Sequence, residues 1–387
     1  MDRKALIRKN LNLNGIGLEI GPSDNPVCAK REGYHVEILD CNSKEEKLRT
    51  KHMEDRAMEF EDVDYVWKGE RYAALTGKKN YYHYVIASHV IEHMVDLIVF
   101  FQDCSEIIKD DGIISLAIPD KRYEFDRFRE CSSIRNVIDT HENATNRHSL
   151  GAFLDAALNS VLFETKDRSN ISTMPYFAGL MSESSFQYGR YIPVLDEIMS
   201  GYSKEKEYRN CHSWVFTPAS FQILIYELNL LGYIDLDVAS LTTIPGRLEF
   251  FVQLKKTDKQ RGFDKSKWLN LQFMRRKEEL EAYQKEQALF EKMMECKKLQ
   301  KNVYLYGAGE YAAQLTELFQ KYDISICGYL VSDGNSHEPS FYGKPVYELS
   351  EAPIHSDTDE IFLGVDSLHT DELIAQLEKK GIVNYFV

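Results

Sequence analysis

Strand-like and helix-like segments alternate along the first 120 residues, and this alternation restricts the possible folds more than any other feature of the sequence. Between residues 96 and 109, apolar side chains recur at close to helical spacing, and Asp110, Asp111 and Gly112 then end that helix. Strands separated by helices in this way pack as a parallel sheet with crossover helices. The sequence therefore predicts an α/β fold. The predicted strands are at 16–20, 36–40, 64–66, 84–87 and 113–118.

The regular pattern stops near Asp120 and resumes after Cys211. The intervening stretch mixes polar, aromatic, serine and asparagine residues with scattered proline and glycine, which indicates an insertion. We therefore expect one domain at residues 1–257 that carries a cap inserted at about 120–212. Beyond the insertion, Thr217-Pro218 indicates a helix start. The pattern then predicts an apolar helix at 221–231 and two strands, at 234–239 and 248–254.

A helical linker is predicted at residues 258–301, where Lys, Glu and Gln are dense and apolar residues are interspersed. This composition is typical of a long amphipathic helix between two domains. One interpretation is a solvated spacer that packs against one domain. The alternative is a homodimer formed through this helix, although no heptad register persists along it.

The last part of the chain, residues 302–387, predicts a small Rossmann-like accessory domain of four strands around two helices. Its first strand ends in Gly307-Ala308-Gly309-Glu310-Tyr311-Ala312, a turn whose glycines would let a phosphate approach a helix N-terminus. Asp333, after the next strand, could meet a ribose. Nucleotide binding and a structural or substrate-docking remnant both stay open.

Composition and charge limit the partners of the chain. The formal net charge of −14 and a pI near 5.4 disfavour nucleic acid, whose affinity depends on Lys and Arg. Residues 1–9 contain no apolar run or cleavage signal, and no window reaches the length of a membrane span. The seven cysteines form no CxxC pair. We therefore expect a cytoplasmic protein with reduced thiols and no integral membrane segment.

An acid and a glycine end the first predicted strand, at Glu19 and Gly21. Glycine lacks a Cβ, so the backbone there can approach a ligand closely, and open α/β sheets bind ligands beyond the carboxyl ends of their strands. Asp40 ends the next strand, where an acid can accept hydrogen bonds from ribose hydroxyls. These residues together favour a nucleotide-type cofactor, although Asp40 alone could be a helix cap or a turn residue.

A third segment places a buried strand before a turn rich in histidine, with the sequence YVIASHVIEHM at 84–94. Together with LEIG at 18–21 and LAIPD at 116–120, this segment resembles the class I methyltransferases of the type 11 kind that depend on S-adenosylmethionine. The resemblance spans about residues 14–255. With IPDKRYEFD at 118–126, it is similar to a bacterial subgroup associated with polysaccharide assembly.

The resemblance implies roles for residues at three strand ends. Glu19 and Gly21 would lie against the methionine part of S-adenosylmethionine, and Asp40 would hold the ribose. Ser88 and His89 would line the floor near the transferred methyl group. The first loop departs from the usual alternate glycines, since it reads Pro22, Ser23 and Asp24, and Pro22 is included in the predicted cofactor site.

Methyl transfer to a hydroxyl needs a base, and histidine titrates near the working pH. The candidates follow the fifth strand, from which a cap would cover the methyl donor: His141 first, then His212 and Asp126. His89 and His93 lie four apart, a spacing that can present two imidazoles to a metal ion. No third ligand is evident, so no metal site is predicted.

The combined expectation is an enzyme that O-methylates a hydroxyl of a sugar nucleotide or glycan in surface polysaccharide biosynthesis. One alternative is an NAD-dependent, sugar-modifying oxidoreductase that acts through Gly307 and Gly309. A second alternative is a non-catalytic scaffold whose altered glycine loop no longer binds the cofactor.

Overall fold

The computed structural model describes residues 2–51, 58–143, 146–163, 186–188, 199–202, 210–244, 247–258, 262–355, 358–365 and 367–386. Within these ranges the chain forms a seven-stranded sheet, a six-stranded sheet and a two-stranded sheet. The predicted α/β class, with a second sheet domain, is confirmed. Among the described helices, none combines the length and hydrophobicity needed to cross a membrane.

The first half of the large sheet is built from parallel strands with helices between them. Its strands follow the order β3-β2-β1-β4-β5, in which sequence neighbours are not always neighbours in space. The elements are α1 (Arg3–Arg8), β1 (Gly17–Ile20), β2 (Val36–Asp40), α2 (Lys44–Lys51), β3 (Tyr65–Val66), α3 (Tyr72–Thr76), β4 (Tyr82–Ser88), α4 (Leu97–Ile107) and β5 (Ile108–Pro119). Each strand predicted in this region overlaps a strand of the sheet, and Asp96 caps α4 through Val99 N at 3.1 Å.

The second half of the sheet reverses direction. β9 pairs antiparallel with β5 and with β8, which completes the order β3-β2-β1-β4-β5-β9-β8. The elements are α5 (Ile134–Glu142), α6 (Leu150–Asn159), β6 (Val161–Phe163), β7 (Phe186–Tyr188), α7 (Pro218–Leu230), β8 (Leu236–Thr242) and β9 (Glu249–Lys256). Of the predicted insertion, residues 144–145, 164–185, 189–198 and 203–209 lie outside the described residues.

The core of this sheet lies between its central strands and the helices that cover them. Leu18, Val85, Ile114 and Leu116 are fully buried on β1, β4 and β5. Helix α7 begins at Pro218, the predicted start, because Thr217 caps it in a reciprocal hydrogen-bond pair with Ser220. Burial on both faces explains why the central strands read as continuous apolar runs.

The predicted linker is the helix α8 (Lys265–Leu299). Near its start, Trp268 Nε1 donates to Glu227 of α7 at 3.2 Å, and Glu278 accepts from Ala219 N at 3.1 Å. Its last turns bury Leu289, Met293 and Cys296, which belong to the core of the second sheet.

A spacer that packs against one domain is therefore the wrong description of this helix. The apolar residues near its C-terminal end recur at helical spacing and form part of the core of the second sheet, while the first half of the helix contacts α7. Dimerisation through the helix stays a prediction, as do the exact domain bounds.

The second sheet has the order β12-β13-β11-β10-β14-β15, with every neighbouring pair parallel except β12 and β13. Gly307, after its first strand, has φ +123, and a Cβ there would lie 2.6 Å from the carbonyl oxygen of Gly364. Asp333 accepts from Ser350 N at 2.7 Å and from Lys380 at 3.0 Å. The elements are β10 (Asn302–Tyr306), α9 (Glu310–Lys321), β11 (Ile326–Val331), β12 (Ser340–Phe341), β13 (Lys344–Glu348), β14 (Asp359–Leu363), α10 (Ser367–Lys379) and β15 (Tyr385–Phe386). The pattern did not predict β12 and β13.

Candidate functional site

Three predicted cofactor residues meet at the carboxyl edge of the large sheet. Ile20 on β1 pairs with Leu39 on β2 and with Ala87 on β4. The next residues along these strands are Gly21, Asp40 and Ser88, and Gly21 N donates to the carbonyl of Leu39 at 2.8 Å. Because the three strands are parallel, their ends form one continuous edge at which a ligand can bind.

Glu19 shapes the loop that follows β1. Its side chain is 1% exposed, and its two carboxylate oxygens accept from Val27 N at 2.6 Å and from Cys28 N at 2.9 Å. Burial raises the pKa of Glu19 to about 7, although these two backbone donors act in the opposite direction. The described contacts of Glu19 therefore hold the loop, and its contact with a cofactor stays a prediction.

Gly21 is at the bend of this loop, with φ +64. Residues other than glycine rarely adopt that backbone conformation, and a Cβ there would lie 3.1 Å from Val90 Cγ2. Pro22 is buried directly after it, and Ser23 also has a positive φ of 52. The loop after β1 thus presents bare backbone at the sheet edge.

Asp40 is buried at the end of β2 and forms an ion pair with Lys47 of α2. Its Oδ1 accepts from Asn42 N at 3.3 Å. Cys41 Sγ also contacts Oδ1, at 3.5 Å. A carboxylate has about four acceptor positions, so these contacts leave capacity for one ribose hydroxyl. The structure thus places Asp40 beside Gly21, while Lys47 fixes its orientation.

Ser88 and His89 belong to a network that ties α1 to the sheet edge. Arg3 Nη2 donates to Ser88 Oγ at 2.6 Å, and the same guanidinium forms two bonds of 2.7 Å with Glu249. His89 Nε2 lies 3.0 Å from Glu249 Oε2. Burial opposes the charge of Glu249, but His89 and Arg3 outweigh it and lower the pKa of Glu249 to about 2.

His89 itself has φ +53, an uncommon conformation for a residue with a side chain. Backbone strain of this kind costs about 1–3 kcal/mol and is concentrated at functional sites. A functional role for the turn after β4 stays a prediction.

A second group of polar side chains is centred on His212. The carbonyl of Glu92 accepts from Ser213 N at 2.8 Å, which fixes the chain after the insertion beside the 3₁₀ turn Ile91–His93. His212 Nδ1 lies 2.6 Å from Asp126 Oδ2, and its ring centroid is 4.7 Å from that of His93. Glu124 Oε1 is 3.6 Å from the same Nδ1.

The pKa values of the side chains in this group are strongly perturbed. Burial opposes the charged form of His212, but Asp126 and Glu124 outweigh it and raise the pKa of His212 to about 10. Burial lowers the pKa of His93 to about 4 and raises the pKa of Glu92. Such perturbed groups are enriched at functional sites.

The structure separates His141 from this group. On α5, His141 Nδ1 lies 2.8 Å from Asp96 Oδ2, and its ring packs edge-on against Tyr233. Asp96 also caps α4, so this contact ties α5 to α4. A catalytic role for His141 stays a prediction.

Sequence reasoning missed four residues of the site: Arg3, Glu92, Glu124 and Glu249. Glu92 and Glu124 lie inside the quoted motifs SHVIEH and KRYEFD, so their polarity next to buried strands was a usable signal. Arg3 and Glu249 are contributed by opposite ends of the domain, and no local pattern marks them.

Comparison with known proteins bears on the first part of the chain. Residues 2–157 match the model of a family described as a methyltransferase domain. No curated protein matches the chain. One similar solved structure is a protein from Rhodobacter sphaeroides provisionally named a Zn-dependent alcohol dehydrogenase, with 12% identity over 66% of this chain and 90% of that chain and a TM-score of 0.35. A SAM-dependent methyltransferase from Methanosarcina mazei has 12% identity over 67% of this chain and 100% of that chain, with a TM-score of 0.33. A SAM-dependent methyltransferase from Aquifex aeolicus has 10% identity over 65% of this chain and 93% of that chain, with a TM-score of 0.30. The assignment depends on the family match and not on these likenesses.

The match of residues 2–157 supports an enzyme of the methyltransferase class, with S-adenosylmethionine as its cofactor. The carboxyl edge suits this molecule, because Gly21 leaves bare backbone where a Cβ would approach Val90, and Asp40 presents a carboxylate on the next strand. Gly21 would face the methionine part and Asp40 the ribose, as the sequence predicts.

Proposed function

We propose that this methyltransferase transfers the methyl group to a hydroxyl of a sugar nucleotide or growing glycan, as a step in surface polysaccharide biosynthesis. The acceptor class is supported by the resemblance of residues 14–255 to methyltransferases associated with polysaccharide assembly. The hydroxyl is supported by the buried imidazoles and carboxylates that adjoin the carboxyl edge.

Transfer to a hydroxyl requires both a methyl donor and a proton acceptor. S-adenosylmethionine supplies a methyl group activated by its sulfonium. The acceptor oxygen forms a bond to that carbon while the carbon–sulfur bond breaks, and the electron pair of the broken bond stays on sulfur. The hydroxyl proton passes to a base, for which an imidazole oriented by a carboxylate is suited.

The pair of His212 and Asp126 is the observation that carries this proposal. Asp126 Oδ2 lies 2.6 Å from His212 Nδ1, so the carboxylate orients the ring. Because the pKa of His212 is raised to about 10, the ring accepts a proton only in its neutral fraction, which grows as the pH rises. The pair adjoins the cofactor edge through Glu92, whose carbonyl holds Ser213 and whose carboxylate lies 3.5 Å from His89 Nδ1.

Product analysis with labelled cofactor tests the acceptor. The full chain is incubated with isotopically labelled S-adenosylmethionine and a panel of sugar nucleotides, glycans and matched amino sugars. We expect S-adenosylhomocysteine to be released with hydroxyl acceptors, and the label to be on oxygen by mass spectrometry. Transfer to the amino sugars alone, or to no carbohydrate in the panel, would contradict the proposal.

Variants of the two histidines test which ring accepts the proton. His212→Gln should lower turnover about 100- to 10,000-fold, the usual contribution of a general base, with little change in cofactor affinity. His141→Gln should have a smaller effect, because that ring contacts Asp96. The reverse pattern would give the base role to His141, the first choice from the sequence.

A further inference from the structure

Glu92, within the group around His212, is a buried carboxylate whose charge lacks hydrogen bonds. Its side chain is 1% exposed, and neither Oε1 nor Oε2 has a hydrogen-bond partner among the residues that the structure describes. The nearest ring nitrogens to Oε1 lie at longer range, His89 Nδ1 at 3.5 Å and His93 Nε2 at 3.9 Å. A buried carboxylate normally needs hydrogen bonds, a close ion pair or a metal ion.

Two imidazoles lie close to this carboxylate. One potential ligand atom from each of Glu92, His93 and His212 lies within 4.8 Å of the other two. Metal–ligand bonds of about 2.0–2.2 Å place the ligand atoms of a tetrahedral site about 3.4 Å apart, so the three side chains would have to move closer together around an ion. Two histidines and one carboxylate form a ligand set that divalent first-row transition metals use with open coordination positions.

Asp126 supplies the outer contact that such a site requires. A histidine that binds a metal through one ring nitrogen usually donates its other N–H to a carboxylate, which fixes the tautomer and the ring orientation. His212 has this arrangement, because Nδ1 lies 2.6 Å from Asp126 and Nε2 remains for a ligand. Asp126 is held in turn by Arg129 at 2.9 Å.

A second group of potential ligands, Glu124, Asp126 and His212, overlaps the first. A cation there would have to replace the bond between Asp126 and His212, and it would face the guanidinium of Arg129. The group with Glu92 keeps that bond and places the ion beside the unpartnered carboxylate. The geometry therefore favours Glu92, His93 and His212 as the ligands.

We propose that Glu92, His93 and His212 bind one divalent transition metal ion, with Asp126 as the positioning residue. The open positions of the ion take the acceptor's hydroxyl oxygen, lower the pKa of that hydroxyl and fix its direction of attack. This second statement rests on the proposed function, whereas the binding of the ion does not. With Nε2 of His212 on the ion, that ring no longer acts as the base, and the proton of the activated hydroxyl passes to solvent.

Metal binding is measured directly on the full chain. Protein stripped with a chelator is dialysed against Mn²⁺, Co²⁺ or Zn²⁺ and analysed by elemental mass spectrometry, and Co²⁺ binding is followed by visible absorption. We expect one ion per chain in the wild type. Glu92→Gln and His212→Gln should weaken binding at least tenfold, and Asp126→Asn about 10- to 100-fold.

The matched control is His35→Gln, which removes an exposed histidine and should leave the stoichiometry unchanged. Melting temperatures with and without metal show whether Glu92 binds the ion or only supports the fold. Without metal, Glu92→Gln should keep or raise the melting temperature, because it removes an uncompensated buried charge. Addition of Co²⁺ should raise the melting temperature of the wild type and not that of Glu92→Gln.

Four outcomes would overturn the proposal in whole or in part. The wild type could bind no ion in the presence of excess metal, or Glu92→Gln and His212→Gln could bind as the wild type does. Loss of binding in Asp126→Asn with normal binding in Glu92→Gln would move the ion to the second group. Full methyl transfer by stripped protein would remove the role in acceptor binding and would leave the proposed function intact.

Discussion

Replacement of Glu19 by glutamine gives a test of the electrostatics beneath the cofactor edge. Its pKa rises from an ordinary 4.5 to about 7, with burial as the largest cause. A rise of that size is equivalent to about 3 kcal/mol, at about 1.4 kcal/mol for each tenfold change in the equilibrium. The side chain is 1% exposed, so solvent screening removes little of this energy.

The sign follows from which state holds the proton. Below pH 4.5, Glu19 is protonated in both the folded and the unfolded chain, and its contribution to stability is fully present. As the pH rises through about 7, the unfolded chain has already lost the proton that the folded chain still holds, so stability falls. Glu19→Gln has no proton to lose. The free energy of unfolding of the wild type, relative to that of this variant, should therefore fall by about 3 kcal/mol between about pH 4.5 and about pH 8.

Urea unfolding followed by tryptophan fluorescence measures this difference. The three tryptophans, at 67, 214 and 268, all lie in the first domain or on the helix packed against it. The matched control is Glu37→Gln on the neighbouring strand. Burial disfavours the charged form of Glu37, but the hydrogen bonds from Lys78 and Tyr82 outweigh burial and lower the pKa of Glu37. Glu37 therefore stays ionised in the folded chain over this pH range, and its contribution to the free energy of unfolding changes little.

A constant difference between wild type and Glu19→Gln across the range would refute the reasoning. It would mean that the backbone donors at Val27 and Cys28 keep Glu19 ionised at every pH tested, and that burial does not control its pKa.

Three further outcomes are expected. Asp40→Asn should weaken S-adenosylmethionine binding by about 1.5–3 kcal/mol, the scale for hydrogen bonds to charged groups; an unchanged dissociation constant by calorimetry would exclude the ribose role. Gly21→Ala should lower stability by about 1–2 kcal/mol, because alanine disfavours φ +64; an unaltered urea midpoint would show that the loop relaxes freely. Glu278→Ala should destabilise the first domain by about 1 kcal/mol, because Ala219 N at the start of α7 loses its acceptor; the tryptophan signal would report this loss, and its absence would mean that water replaces the carboxylate.

The sequence by itself determined the class of the fold and the positions of the cofactor strands. Alternation of apolar runs with helical spacing is a local property, so β2 is found at the residues predicted and β1, β4 and β5 overlap their predictions. Gly21 and Asp40 were identified for the same reason, since each directly follows or ends a strand. The parallel arrangement then brings them together without further information.

Only the tertiary structure decided which distant segments meet. The spacing of His89 and His93 suggests two metal ligands, but the structure turns His89 toward Glu249 and pairs His93 with Glu92 and His212 instead. His212 reaches this place because the chain after the insertion bonds to the carbonyl of Glu92. Hydrophobic periodicity shows which face of a segment is buried, and it contains no information on which remote polar residue shares that buried space.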